Sequence, residues 1–371
     1  MVQMRRLAAG LIALLFPVAQ VPLNGATAGL ASLLTLTPTA YAESRQAVAG
    51  VAKAISVRIE GATQGSGILM KRMGNRYTVL TAWHVVSGHR PGEELDVYTP
   101  DGQKHSVEPG SIQNVGQVDM AVLSFTSANQ YDVASIGDVQ SVGSGDKIWV
   151  AGFPAGRGGR LENGAGKVVA NASVSINQGY QLLYTNYTTS GMSGGAVLTS
   201  SGQLIGMHGR GEIDEELSRR AGEVVKTGVN QGIPISYYLQ FANGLTVSSA
   251  RTEAISSDDY LAQARSIFNE PGRDREIIRL TSLSLKSRES AEAYFLRGFS
   301  REATGETELA SADLDRAIAI DPDYGLAIRY RGIVKEKLGN ILGACQDWQK
   351  AAKLGMQDAG LWHRNQCLKL R

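Results

Sequence analysis

Gly191-Met192-Ser193-Gly194-Gly195 leads into the apolar run Ala196-Val197-Leu198. A serine hydroxyl is a poor nucleophile until a base takes its proton. Glycines on both sides permit the tight turn that presents it and aims amide N–H groups at a developing oxyanion. Such a string also occurs in ordinary turns, so its weight comes from two other stretches. Leu80-Thr81-Ala82-Trp83-His84-Val85-Val86 puts a histidine after a β-rich run. Val118-Asp119-Met120-Ala121-Val122-Leu123 puts an acid at the entry to an apolar strand, costly unless the carboxylate is paired. Each has a bland reading as a turn serine, a core histidine or a strand-end aspartate. Their joint occurrence in the order His84, Asp119, Ser193 argues for a catalytic triad. Gly195 also completes a Gly-x-Ser-x-Gly string. Only His208 and His363 follow it, however, and alternating strand–helix units are missing around it, so a nucleophile elbow is the weaker reading.

Working outward, residues from about 48 to 241 carry short apolar runs such as Tyr77-Thr78-Val79-Leu80 and Lys147-Ile148-Trp149-Val150, broken by Gly, Asn, Asp and Ser. That pattern predicts an all-β barrel or sandwich. Residues 245–257, rich in Ser, Thr and Ala, read as a linker. Beyond them the period becomes helical and a repeat emerges: Gly298 and Gly332, Gly305 and Gly339, Ala310 and Ala344, Asp313 and Asp347, Ala317 and Ala351 are each 34 apart (332 − 298 = 34). This spacing resembles tetratricopeptide repeats, with units at about 291–324 and 325–358 and a degenerate one before them. Two repeats rarely stand alone, so a neighbouring unit or the β domain is expected to cover their ends.

The chain has 371 residues, 37 Lys plus Arg against 35 Asp plus Glu, and a net charge of +2. With no dense basic run interleaved with aromatics, nucleic acid is not an expected partner. Arg5 and Arg6 before an apolar run at 7–16, and Ala40-Tyr41-Ala42 before Glu43, predict an export signal over 1–42. An earlier cut after Ala28 stays open. Pro17, Gln20 and Pro22 interrupt the run short of a membrane span, so no permanent span is expected after processing, and the protein is expected to be extracytoplasmic, periplasmic or secreted. Cys345 and Cys367 read either as a disulfide pair or as two small buried hydrophobes.

The order His84, Asp119, Ser193 is that of the chymotrypsin superfamily, and residues from about 65 to 239 resemble its bacterial trypsin-like proteases, the group holding the HtrA-type enzymes and glutamyl endopeptidases. Gln64-Gly65-Ser66-Gly67, Ala151-Gly152-Phe153-Pro154 and Asn230-Gln231-Gly232-Ile233-Pro234-Ile235 carry the likeness beside the triad. The resemblance implies a multidomain chain: a double six-stranded β-barrel over 43–244 with the triad in its cleft, then an all-α repeat domain over 258–371. It implies an oxyanion hole from the amides of Gly191 and Ser193, and needs no cofactor and no metal. No PDZ-like segment follows, unlike an ordinary HtrA.

The same resemblance places the substrate pocket at Tyr187, Thr188, His208, Gly209 and Arg210. Tyr187 stands where a trypsin carries an aspartate, which disfavours cleavage after Arg or Lys. Thr188 and His208 correspond to the hydroxyl and imidazole that receive a carboxylate in glutamyl endopeptidases. Charge-assisted donors of this kind are what a desolvated Glu side chain requires, and Arg210 would add positive charge. Alternatively, His208 fills a pocket wall and bonds to backbone.

The reading is an exported serine endopeptidase acting on protein or peptide substrates, with a repeat domain that binds a partner or substrate. The alternatives are a weakly active scaffold and a chaperone-like binder. Gly164-Ala165-Gly166-Lys167 is a poor match to a phosphate loop because Val168 follows. His89, His105 and His363 read as surface or loop residues. Asn171 and Asn186 head glycosylation sequons, the second at the expected pocket.

Overall fold

The computed structural model describes residues 38–90, 92–174, 176–213, 226–247 and 253–368. The apolar run at 7–16 therefore lies outside the described residues, and the Ala40–Ala42 motif falls on helix α1, Pro38–Ile55. This helix corrects the expectation of strands from residue 48. Val48, Ala52 and Ile55 recur at helical spacing and are buried against the β core.

Seven strands form the first sheet: β1 Ser56–Glu60, β2 Gln64–Met73, β3 Arg76–Thr81, β4 Asp96–Tyr98, β5 Lys104–Ser106, β6 Gln113–Asn114 and β7 Ala121–Thr126. Their order is β5-β4-β1-β2-β3-β7-β6, with antiparallel pairing. A closed six-stranded barrel was expected here; the ladder is instead open, for a local reason. β5 and β6 are only three and two residues long. The chain crosses between the edges through single bonds, Val107 N to Leu95 O at 3.0 Å and Glu108 N to Ser124 O at 2.8 Å.

The second sheet closes fully. β8 Lys147–Gly152, β9 Glu162–Asn171, β10 Leu182–Tyr184, β11 Ala196–Thr199, β12 Leu204–Ile213 and β13 Lys226–Pro234 form a barrel of order β10-β13-β12-β11-β8-β9. Its strands alternate as the period of two requires. Ile148, Val150, Val168, Leu182, Tyr184, Val197 and Ile205 cluster inside. Trp149, Ala151, Leu198, Met207 and Ile233 point outward and join the core of the first sheet. The two β units thus share one apolar interface, and the site lies along it. The short helix α2, Trp83–Val86, follows β3, and α3, Ser236–Ala242, closes the β region.

A helical array follows: α4 Ser257–Ser266, α5 Asp274–Ser287, α6 Ala291–Ala303, α7 Thr307–Ile320, α8 Gly325–Lys337, α9 Ile341–Lys353 and α10 Gln357–Trp362, then a π-helical turn His363–Cys367. Helices α6 and α8 begin 34 residues apart (325 − 291), as do α7 and α9 (341 − 307). The interval also repeats an ion-pair motif: Arg297 forks onto Asp313, and Arg331 onto Asp347. A second cation, Arg301 or Lys335, completes each. Leu314 and Trp348 are buried at equivalent places. Cys345 and Cys367 are disulfide-bonded, which settles the choice left open by the sequence.

The array packs on the closed barrel. Ala170, Leu183 and Val229 share a core with Leu261, Ala264 and Leu280. Asp258 accepts from Asn171 N at 2.8 Å, and Asp259 accepts from Ser173 N at 2.7 Å. Among the described residues, no helix is long and apolar enough to cross a membrane.

Candidate active site

β3 ends in Thr81, and the chain turns at Ala82 into α2, which carries His84 with its side chain half exposed. Asp119 lies just before β7, 4% exposed. β3 and β7 are neighbours in register, Thr81 opposite Ala121, so the two residues meet. Trp83 N donates to Asp119 O at 3.3 Å, and His84 N donates to Asp119 Oδ1 at 2.9 Å. The imidazole Nδ1 lies 2.7 Å from Asp119 Oδ2. A carboxylate so placed fixes the ring and favours the tautomer with the proton on Nδ1, which would leave Nε2 able to accept a proton.

Asp119 is held further by Gln178 O, which accepts its N–H at 2.8 Å, and by Tyr180, whose hydroxyl donates to Oδ2 at 2.5 Å. Burial acts to raise the Asp119 pKa, but the hydrogen bonds from His84 and Tyr180 outweigh it and leave the carboxyl below its ordinary value.

Ser193 sits in the turn before β11. Its carbonyl accepts from Ser66 N at 2.8 Å, tying the turn to β2. Ser66 Oγ donates to Gly191 O at 2.8 Å and accepts from Phe153 N at 2.8 Å, so one buried hydroxyl joins both β units at this point. Gly194 shows why glycine is needed here. Its φ is +87°, and a Cβ would lie 2.1 Å from Ser66 O and 3.1 Å from Ala82 N. The Ser193 turn is thereby pressed against the strand end that leads into His84. Among the described residues, the amides of Gly191 and Ser193 donate to no backbone carbonyl, whereas Met192 N, Gly194 N and Gly195 N each do.

The expected pocket residues divide by environment. Thr188 and His208 are buried. Thr188 Oγ1 donates to Asn230 Oδ1 at 2.5 Å, and His208 Nδ1 pairs with Tyr184 Oη at 2.8 Å. Burial keeps the Tyr184 phenol protonated far above its ordinary range. Asn230 Nδ2 donates to Tyr184 O, so both pocket residues hang on one Tyr184–Asn230 pair. Gly209 packs against Tyr180. Arg210 is exposed, lies 4.4 Å over the Tyr180 ring and bonds Gln231 through Nε at 3.0 Å. Tyr187 is 70% exposed and stands at the surface.

Three sequence readings outside the site are adjusted. Gly164-Ala165-Gly166-Lys167 lies within β9 and is no loop. His105 is not a lone surface residue: its ring packs tilted against Phe125 at 4.9 Å and its Nε2 lies 3.4 Å from Tyr131 Oη. Asn186 is buried and bonded to Gly164 O. The sequence reading missed Tyr180 and Asn230 as supports of the site. Tyr180 belongs to no motif and reaches Asp119 across 61 positions, while Asn230 heads a quoted motif that gave it no role. Ser66 was legible only as a small residue between Gly65 and Gly67.

Residues 65–207 match the family model of the trypsin-like peptidase domain, so this stretch is a trypsin-like peptidase domain. Among known proteins the chain is similar to the serine protease Do-like HtrA of Lactococcus lactis subsp. lactis, 29% identical over 39% of this chain and 36% of the relative. It is similar to the serine protease Do-like HtrB of Bacillus subtilis at 28% identity over 38% and 32%, and to the HtrA of that species at 23% over 45% and 38%. The match thus spans only about a third of the length of these relatives.

Proposed function

We propose that this protein is an exported serine endopeptidase in which Ser193 is the nucleophile, His84 the general base and Asp119 the residue that orients it. The observation that carries the reading is the 2.7 Å His84–Asp119 bond beside a glycine-bounded serine turn tied to β2. In this reading Ser193 Oγ attacks the substrate carbonyl while His84 Nε2 takes its proton. The amides of Gly191 and Ser193 receive the oxyanion, each such donor contributing roughly 3–4 kcal/mol. His84 then protonates the leaving amine, and water repeats the sequence on the acyl-enzyme. Asp119 stays ionised throughout, consistent with its lowered pKa.

For the residue preceding the cut bond we propose an acidic preference. In that reading the Tyr184 hydroxyl donates to His208 Nδ1 and the ring proton sits on Nε2, a donor of the kind a carboxylate needs. Tyr187, exposed where a trypsin has an aspartate, supplies no anion for Arg or Lys. The helical array is proposed as a tetratricopeptide-type module for a protein partner or substrate, supported by its 34-residue recurrence and duplicated Arg–Asp pairs.

Digestion of a peptide library by the protein, with Ser193→Ala as control, tests both statements. Cuts absent from the control and clustered after Glu are expected. Cuts after small apolar residues would sink the acidic preference alone, and identical digests from both proteins would sink the protease reading.

A further inference from the structure

Tyr180 is 1% exposed, belongs to no sequence motif, and puts its hydroxyl on the carboxylate oxygen that faces the histidine. Its position is fixed on every side. It ends a tight turn in which Gln178 takes φ +50°, rare for a residue with a side chain, while Ile176 N bonds Tyr180 O at 2.7 Å and Tyr180 N bonds Asn177 O at 3.0 Å. The same turn presents Gln178 O to Asp119 N. Arg210 covers the ring from outside. On the remaining side lies Gly209, where a Cβ would fall 2.1 Å from Tyr180 Cε1 and 2.5 Å from its hydroxyl oxygen. A side chain on β12 at this point and the Tyr180 phenol exclude one another.

We propose that Tyr180 is a positioning residue of the catalytic site: its phenol locks the Asp119 carboxylate against His84, and residue 209 is glycine because the phenol occupies the space its side chain would take. The proposal rests on the triad reading and deepens it. Asp119 Oδ1 is held by the His84 amide, but Oδ2, the oxygen that orients the imidazole, has Tyr180 as its other donor. Without that donor both remaining side-chain bonds come from His84 itself, so the pair loses its outside reference and the imidazole its fixed direction. Burial, with the Asp119 charge and hydrogen bond, pushes the Tyr180 pKa far up, partly offset by Arg210, so the phenol keeps its proton. Tyr180 lies behind Asp119, so its loss is expected in turnover and not in substrate affinity.

Tyr180→Phe removes the donor and keeps the ring. Its kcat on a cleaved peptide is expected to fall roughly 10-fold with KM unchanged, the signature of misdirected groups. The low-field proton resonance of His84 Nδ1–H, identified by its loss in His84→Ala, is expected to move. Gly209→Ala, which must push the phenol aside, is expected to move the same resonance. An unmoved resonance together with kcat within about twofold of wild type would overturn the proposal even if the variant melts lower, because a purely structural tyrosine changes only the melt. If the wild type itself turns over no peptide, the protease reading fails, while the resonance in Tyr180→Phe still decides the role of Tyr180.

Discussion

Asp119 is buried and charged, a costly state made stable here by three donors on two oxygens. Asp119→Asn keeps the shape but offers an N–H to His84 Nδ1, favouring the wrong tautomer. A fall in kcat of about 10,000-fold is expected, with the fold retained by circular dichroism. A second carboxylate acts on stability alone. Partial burial acts to raise the Asp101 pKa, but donors from Thr99, Gln103, Asn129 and Tyr131 override it and hold the group at about 2 against 3.8. A depressed folded value means the stabilisation is complete above the unfolded pKa and is lost as pH falls through the folded one. Asp101→Asn should therefore melt below wild type near neutral pH and converge with it as pH approaches about 2; melts that stay parallel would refute this. At this scale His84, Asp119 and Ser193 stand out as the proposed triad because the proposed chemistry asks for particular residue types in a particular order, and the structure brings His84 and Asp119 together. Tyr180 and Asn230 were not, since any residue with a suitably placed donor would serve, and placement is a property of the fold.

The strands were legible wherever one face is buried, as in Arg76–Thr81, and the helix pairs wherever small residues recur at 34 positions. Helix α1 was missed because its first residues read as the end of an export signal, and its three buried residues declare a period only once the core they meet is known. That the first sheet stays open was missed because its edges meet only through two isolated bonds at Val107 and Glu108. The repeat glycines allow a contrast. A Cβ on Gly332 would lie 2.4 Å from Trp348 Nε1, whereas one on Gly298 would lie 3.2 Å from its nearest neighbours. Alanine improves a helix by up to about 1 kcal/mol over glycine, but overpacking costs roughly 1–3 kcal/mol. Gly332→Ala is therefore expected to destabilise the array, and Gly298→Ala to be near neutral, in urea unfolding followed by circular dichroism. Equal midpoints would contradict that packing.

On the scale of the molecule, the array is anchored to the closed barrel by Asp259, which accepts from Ser173 N and Oγ and from the amides of Ile255 and Ser256. Asp259→Ala removes acceptors whose charge-assisted bonds are worth about 1.5–3 kcal/mol each. Calorimetry should then separate the β and helical transitions further than in wild type. At the far end, the Cys345–Cys367 bond closes a loop of 22 residues. Its reduction is expected to cost the helical transition roughly 3 kcal/mol and leave the β transition in place. The anchored strand is followed by Gln178 and Tyr180, which bond Asp119, so the barrel wall that receives the helices lies next in the chain to the support of the proposed triad. The central claim remains that Ser193 is an activated nucleophile. The most direct measurement is exposure of the protein to a fluorophosphonate followed by peptide mapping. The account predicts a single adduct on Ser193, lost in His84→Ala. Absence of that adduct in folded wild-type protein, or equal labelling in the His84→Ala variant, would contradict it.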